Sequence, residues 1–366
     1  MRKRLHISFF RCNFGVNKTK ITAFTMDKPT PMTMKDIARA LGVSVATVSR
    51  ALSDSPSISK ERRQKIQQFA AEHNYYPNEI AGQLRNSRKS PIKVIGVIVP
   101  QFLHYYFASV LTGIEQAASQ RGYTIIVAQS HEQYERERKI CESFHQGRVC
   151  GVIVSQAKDT MRYDHFERLI DQGVPLVFYD RICAAINANR VVVDDYMGTY
   201  RAVTYLIERG CRRIAYYGTN MNMEIGINRY NGYKDALYKN GLKPDVSLVL
   251  LCDTRDEAER ITPQLLGRKD RPDAIFAVND ETAVACLHVA KRMGLQVPDD
   301  LSICGFTNSE QAQACDPMLT TVEQRGIEVG EQAVDVLVGL VEGRLPMDHA
   351  EKRVVKTRLI VRGTTK

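Results

Sequence analysis

Residues Met34 to Asp54 read MKDIARALGVSVATVSRALSD, and no other stretch restricts the chain as much, because two short amphipathic helices have to meet there at a tight turn. Thr33 followed three residues later by Asp36 has the spacing of a capping box, in which side-chain oxygens satisfy the orphan amides of a helix start. The first helix is expected from Met34. Ile37, Ala38 and Leu41 recur at helical spacing, Gly42 can adopt the backbone that ends the helix, and Ser44 can cap a second one. Val48, Ala51 and Leu52 form the inward face of that second helix. Its opposite face carries Val45, Ala46, Thr47, Ser49 and Arg50, small residues that allow a backbone to approach a base edge beside one long cationic donor. This is the pattern of a helix-turn-helix with its recognition helix second. A third helix follows a cap at Ser59, with Ile66, Phe69, Ala70 and His73 on one face.

Three short helices with solvated polar faces would also make a plain helical domain, so the charge distribution matters. The chain of 366 residues carries a net charge of +10, and residues 1 to 90 hold 17 Lys and Arg against 6 Asp and Glu, whereas residues 91 to 366 hold 34 against 35. All the excess positive charge lies in the first 90 residues, which contain the helix-turn-helix. A polyanion-binding head on a neutral body has this asymmetry, since affinity for DNA comes largely from cations that release condensed counterions. Residues 1 to 31 read as a disordered basic leader; Arg11 interrupts the apolar run that a signal peptide would need, and Met26, Met32 or Met34 would serve as alternative starts. No apolar run reaches the ~18 residues of a membrane span. The nine cysteines are odd in number, form no Cys-x-x-Cys pair, and sit in apolar contexts such as VCGVIV and LSICGF, as expected for reduced thiols in a cytosolic protein, here one associated with the nucleoid.

Three segments, VSVATVSRAL, ISKERRQKI and HNYYPNEIAGQL, closely resemble the lactose and galactose repressor family of bacterial transcription regulators, and the resemblance runs from about Met32 to the C-terminus. It implies a DNA-binding domain at residues 32–77 and a hinge helix and linker at 78–90. Thr33, Met34, Ser44, Ser59, Tyr75, Asn78 and Ala81 then join the second-helix residues as expected DNA contacts. Pro77 cannot continue a helix, Asn78 can cap a short new one, and Gly82 in its middle weakens it by about 1 kcal/mol, so on composition alone the segment is an ordinary linker. In the family the matching segment folds on operator DNA, and the residue matching Leu84 wedges into the minor groove.

From Ile92 onward apolar strand-like runs alternate with amphipathic helices such as Phe107 to Gln120 and Tyr196 to Arg209. Runs such as IKVIGVIVP, VPLVFYD and DAIFAV suit parallel sheets covered on both faces. Their number predicts two doubly wound lobes, from about Pro91 to Val193 and Asp194 to Val322, with the C-terminal segment returning to complete both. Residues 91–366 are thus expected to be an α/β domain of two doubly wound lobes, and the resemblance implies that these are periplasmic-binding-protein-like and form the effector-binding and dimerisation domain. An enzyme is not expected. No Gly-x-Gly-x-x-Gly follows a strand, and there is no phosphate-binding Gly-x-x-x-x-Gly-Lys-Ser/Thr, His-Glu-x-x-His or Gly-x-Ser-x-Gly. Catalytic residues, metals and cofactors are therefore not called for. A secreted sugar-binding protein would fit residues 91–366, but not the DNA-reading head.

Ligands of open α/β folds bind beyond the carboxyl ends of the strands. Residues expected there are Tyr106, Phe107, Ser130, Asp194, Arg229, Asn279 and Asp280. Each has a plainer role: the aromatics as core, Arg229 as a surface ion-pair partner, Asp280 as a helix cap. The resemblance favours ligand contacts. Where many family members have Asp in a Gly-Tyr-Asp motif, this chain reads Gly305, Phe306, Thr307, so Thr307 offers one hydroxyl in place of a carboxylate. The expectation is a homodimeric regulator, of repressor type, that reads a palindromic operator in double-stranded DNA and responds to a small molecule. A neutral sugar held by Asp194, Arg229 and Asp280 against Tyr106 and Phe107 is expected, with a purine or sugar phosphate as the alternative.

Overall fold

The structure, a computed structural model, describes residues 32–73, 75 and 93–366. The leader and the hinge residues Asn78, Ala81, Gly82 and Leu84 lie outside the described residues.

In the head, α1 (Met34–Ala40), α2 (Val45–Leu52) and α3 (Lys60–Glu72) enclose Ile37, Ala38, Val48, Ala51, Ile66 and Ala70. The Thr33–Asp36 capping box is made in both directions: the Asp36 amide donates to the Thr33 hydroxyl and the Thr33 amide to the Asp36 carboxylate. Gly42, with φ of +64°, ends α1 in the left-handed region that costs glycine least. Ser44 caps α2 by accepting from the Thr47 amide at 3.1 Å. Ser59 precedes α3 but makes no side-chain cap bond. Arg63 and Gln67 of α3 donate to carbonyls at the end of α2, so the third helix also satisfies groups that the second leaves open.

The body has two six-stranded sheets. The first lobe orders its strands β11-β5-β4-β3-β1-β2: β1 (Val94–Val99), β2 (Thr124–Gln129), β3 (Gly151–Val154), β4 (Leu176–Tyr179), β5 (Asn189–Val193) and the late β11 (Lys352–Val355). All its pairings are parallel. The second lobe orders β12-β10-β9-β8-β6-β7: β6 (Ile214–Gly218), β7 (Val249–Leu251), β8 (Ala274–Ala277), β9 (Ser302–Thr307), β10 (Thr320–Glu323) and β12 (Arg358–Ile360). Only β12 runs antiparallel there, against β10.

Helices cover both faces of each sheet. In the first lobe α4 (Tyr105–Gln120) and α12 (Gly326–Val341) enclose one apolar cluster and α5 (Tyr134–Gln146) with α6 (Asp164–Asp171) the other. In the second, α7 (Asp195–Glu208) and α8 (Glu224–Lys239) bury one face; α9 (Arg255–Leu266) and α10 (Asp280–Arg292) bury the other, and the short α11 (Glu310–Ala314) packs beside α10. The chain crosses between lobes three times, after β5, after β10 and after β11. These crossings make a hinge on one side and leave the carboxyl ends of the central strands facing a cleft. Among the described residues no helix is long and apolar enough to cross a membrane.

Candidate functional site

Two surfaces carry chemistry, one in each unit. On the head, the outward side of α2 presents Ala46 and Arg50 as exposed residues and Val45, Thr47 and Ser49 as half-buried ones. The Arg50 guanidinium is held along the helix by a 3.3 Å bond from Nε to the Ala46 carbonyl, which leaves its terminal nitrogens forward. Thr33, Met34, Ser44, Ser59 and Tyr75 flank the helices, with Met34 and Tyr75 packed against the small core.

The cleft is built by loops at strand ends. From the first lobe come Gln101, His104, Tyr106 and Phe107 after β1, Glu132 after β2, Lys158 after β3, and Asp180 with Arg181 after β4; from the second come Thr219, Arg229, Asp253, Thr254, Asn279 and Thr307. Gln324, at the second crossing, closes the back. Five of the sequence-predicted residues therefore meet here: Tyr106, Phe107, Arg229, Asn279 and Thr307.

Three others do not. Asp194 is the N-cap of α7, where its carboxylate turns to the Met197 amide at 3.1 Å and borders a separate small pocket with Tyr196 and Glu224. Asp280 borders a neighbouring cavity between the lobes with His104 and Thr307, but its carboxylate is turned into the second lobe, accepting from the Ser309 amide at 2.7 Å and from the Thr321 hydroxyl. Ser130 is fully buried and lies outside the cleft lining. Asn279, not Asp280, caps α10, accepting from the Thr282 amide at 2.8 Å while its amide nitrogen donates to the Asp253 carbonyl at 2.7 Å.

The aromatics are more enclosed than a stacking platform requires. Tyr106 and Phe107 are 2% and 3% exposed, and the Arg181 guanidinium sits 5.2 Å over the Phe107 ring. Each cation of the cleft has a carboxylate of its own. Arg229 pairs with Asp195 at 2.7 Å, Arg181 with Glu132 at 2.7 Å, and Lys158 with Asp253 at 2.8 Å. Arg229 also donates to the Val278 carbonyl and lies 3.9 Å over the Phe306 ring. Burial pushes the Asp195 carboxyl up to about 6, against the pull of Arg229. The buried Asp180 is likewise raised by desolvation, since its closest cation, Arg181, stands 3.9 Å away. Burial, then the positive charges of Arg181, Lys158 and Arg229, pushes His104 down to about 4, so a neutral imidazole faces the cleft at pH 7. The Thr307 hydroxyl donates to Gln324 at 3.0 Å and keeps its lone pairs for a ligand.

Asp180, Arg181, Glu132 and Asp195 were missed from the sequence, although all but Asp195 obey the rule applied elsewhere, a polar residue just beyond an apolar strand. The YDR after VPLVF and the HE after YTIIVAQS carry that signal. Asp195 differs from Asp194 only in lying one position further into a helix.

The sequence pattern of bacterial regulatory proteins of the lacI family matches residues 33–78, and that of a periplasmic binding protein-like domain matches 203–365. The HTH-type transcriptional repressor CytR of Escherichia coli (strain K12) is 31% identical over 340 residues, which span 92% of this chain and 97% of the relative. The ribose operon repressor of Halalkalibacterium halodurans is 32% identical over 337 residues, 91% and 97% of the two chains. The solved Lac repressor dimer bound to operator and the anti-inducer ONPF superposes with a TM-score of 0.80 at 25% identity, covering 92% of this chain and 99% of its own. With the helix-turn-helix head, the two-lobed body and this similarity along nearly its whole length, the chain belongs to the lacI family of bacterial regulatory proteins.

Proposed function

We propose that this protein is a cytosolic, homodimeric transcriptional repressor that reads a palindromic operator through α2 of two heads, and that a neutral, hydroxyl-rich molecule, a sugar, binds the cleft and sets its DNA affinity. The observation that carries the ligand class is the pairing of Lys158, Arg181 and Arg229, each with its own carboxylate. An anionic ligand would have to displace one of those carboxylates, leaving it buried and unpaired. Hydroxyls meet no such barrier, because Thr307, Gln324 and the neutral His104 offer acceptors and donors without a charge to neutralise, and the Asp180 carboxyl can accept from them. A purine is disfavoured for a different reason. Tyr106 and Phe107 are buried, Arg181 covers one ring face, and the second lobe contributes no aromatic to the lining that could take the other side of a planar base. The names of the similar proteins, repressors bound to operator or controlling operons, support the DNA role.

Thermal-shift measurements on the full chain with neutral mono- and disaccharides, sugar phosphates and purines test the ligand class. A ligand at 100 times its dissociation constant stabilises by about 2.7 kcal/mol, enough to read as a shift of several degrees. A shift with neutral sugars is expected. A shift with purines or phosphates alone overturns it. For the DNA role, Arg50→Ala should lower affinity for the operator by about 1–3 kcal/mol and leave random DNA nearly unaffected; equal losses on both would make Arg50 a phosphate contact.

A further inference from the structure

Beyond supplying ligand contacts, the cleft has a charged contact between its lobes at the mouth, besides the Lys352–Glu224 pair at 2.8 Å on the hinge side. Lys158, on the loop after β3 of the first lobe, donates from Nζ to the Asp253 carboxylate after β7 of the second, at 2.8 Å. Both ends are held rigidly by their own lobes. The fully buried Glu137 accepts from the Ala157 amide and the Thr160 hydroxyl, both at 2.7 Å, and bonds His165 at 2.9 Å, so the loop bearing Lys158 is tied down on either side of it. The Lys158 amide itself donates to Glu132 at 2.9 Å. Opposite, Asp253 receives the Thr219 hydroxyl, its amide donates to Glu257 at 3.0 Å, and its carbonyl accepts from Asn279 at 2.7 Å. The backbone at both ends is already fixed and Thr219 already orients the Asp253 carboxylate, so only the Lys158 side chain has to be ordered for the ion pair to form.

The position matters as much as the pairing. The backbone crossings leave the second lobe's sheet at its β10 and β12 side, and β7 is the opposite edge, five strands across. At ~4.8 Å per strand that is roughly 24 Å from the hinge on the second lobe, and roughly 14 Å on the first, where β3 lies three strands from β11, so an opening of about 10° moves the two groups apart by roughly 2–4 Å. A small rotation therefore breaks this contact completely. We propose that Lys158 and Asp253 form a latch across the mouth of the cleft, which holds the lobes closed and must open for any effector to enter or leave. The Lys158 side chain is 34% exposed and that of Asp253 15%, so dissolved salt reaches and weakens the latch.

The test uses the full chain with no ligand and so stands apart from whether the effector is a sugar. A water-soluble carbodiimide joins a lysine to a carboxylate only in direct contact; the wild type should give a peptide linked through Lys158 and Asp253 at low salt, several-fold less in 1 M NaCl. By amide hydrogen exchange, Lys158→Met and Asp253→Asn should each speed exchange about 10-fold in the segments 155–160 and 251–256, with 214–218 unchanged, whereas Lys158→Arg should keep the wild-type protection. Absence of the linked peptide, or wild-type exchange in both neutral variants, overturns the latch. Faster exchange that extends through 214–218 also overturns it, because the pair would then be stabilising the lobe rather than its closure.

Discussion

Arg229 and Asp195 are 5% and 3% exposed, and each is the other's main compensation for leaving water. Removing one strands the other as a buried charge, so Arg229→Ala should cost about 3–5 kcal/mol in urea unfolding as well as abolishing ligand response. Arg229→Met combined with Asp195→Leu should cost clearly less than Arg229→Met alone; an equal cost would mean that packing on Phe306, not charge, is what Arg229 supplies. His104 gives a pH signature. Its folded-state value is lowered to about 4 from an ordinary 6.5, so between these limits the unfolded chain binds the extra proton and stability falls as pH drops from about 6.5 towards 4. The stability that the neutral ring contributes is complete above pH 6.5. His104→Gln should flatten that part of a melting temperature against pH profile, and an unchanged profile would assign the acid sensitivity to other groups. At this scale the chain was only partly legible. Asp194 and Asp195 are chemically identical neighbours, and only the start of α7 turns one to its own helix amides and the other to Arg229. The same division separates Asn279 from Asp280, whose carboxylate is claimed by residues 29 and 41 positions away.

Two helices of the first lobe cross through glycines. A Cβ on Gly330 of α12 would lie 2.2 Å from the Val110 carbonyl of α4, and one on Gly113 of α4 would lie 2.1 Å from that of Ile327. Backbone, not a movable side chain, occupies the space, so Gly330→Ala should destabilise by about 1–3 kcal/mol or more despite alanine's better helix propensity, as chemical denaturation would report. A gain in stability would show that the helices can part without loss. In the head, helix periods and the caps at Thr33 and Ser44 were readable directly, whereas Ser59 makes no cap bond: α1 begins at Met34 and Gly42 ends it as read. The nine strands up to β9 were equally plain, as continuous apolar runs. The late strands were not marked individually. β11 reads KRVV and β12 RLI, three or four residues with charged starts, and they become strands because each adds to the open edge of a sheet already formed.

For the whole molecule the charge separation sets the DNA behaviour. If each of two heads neutralises several phosphates, affinity for any duplex should fall about 1,000-fold or more between 50 and 200 mM salt, measured by fluorescence anisotropy. A shallow dependence would contradict a binding mode dominated by the basic head. That asymmetry, the order of the strands up to β9 and the helices between them, the three-helix head and the two-lobed body were all determined by the sequence alone, because they depend on local period, composition and counting along the chain. Which polar groups share the cleft was decided only by tertiary structure. Lys158 meets Asp253 across 95 residues and Arg229 meets the Val278 carbonyl across 49, distances over which no local pattern acts. Arg181 meets Glu132 and Arg229 meets Asp195 within one lobe each, across 49 and 34 residues, whereas the Lys158–Asp253 pair depends on how two sheets end beside one another, a geometry that exists only once both lobes have folded and the hinge has brought them together.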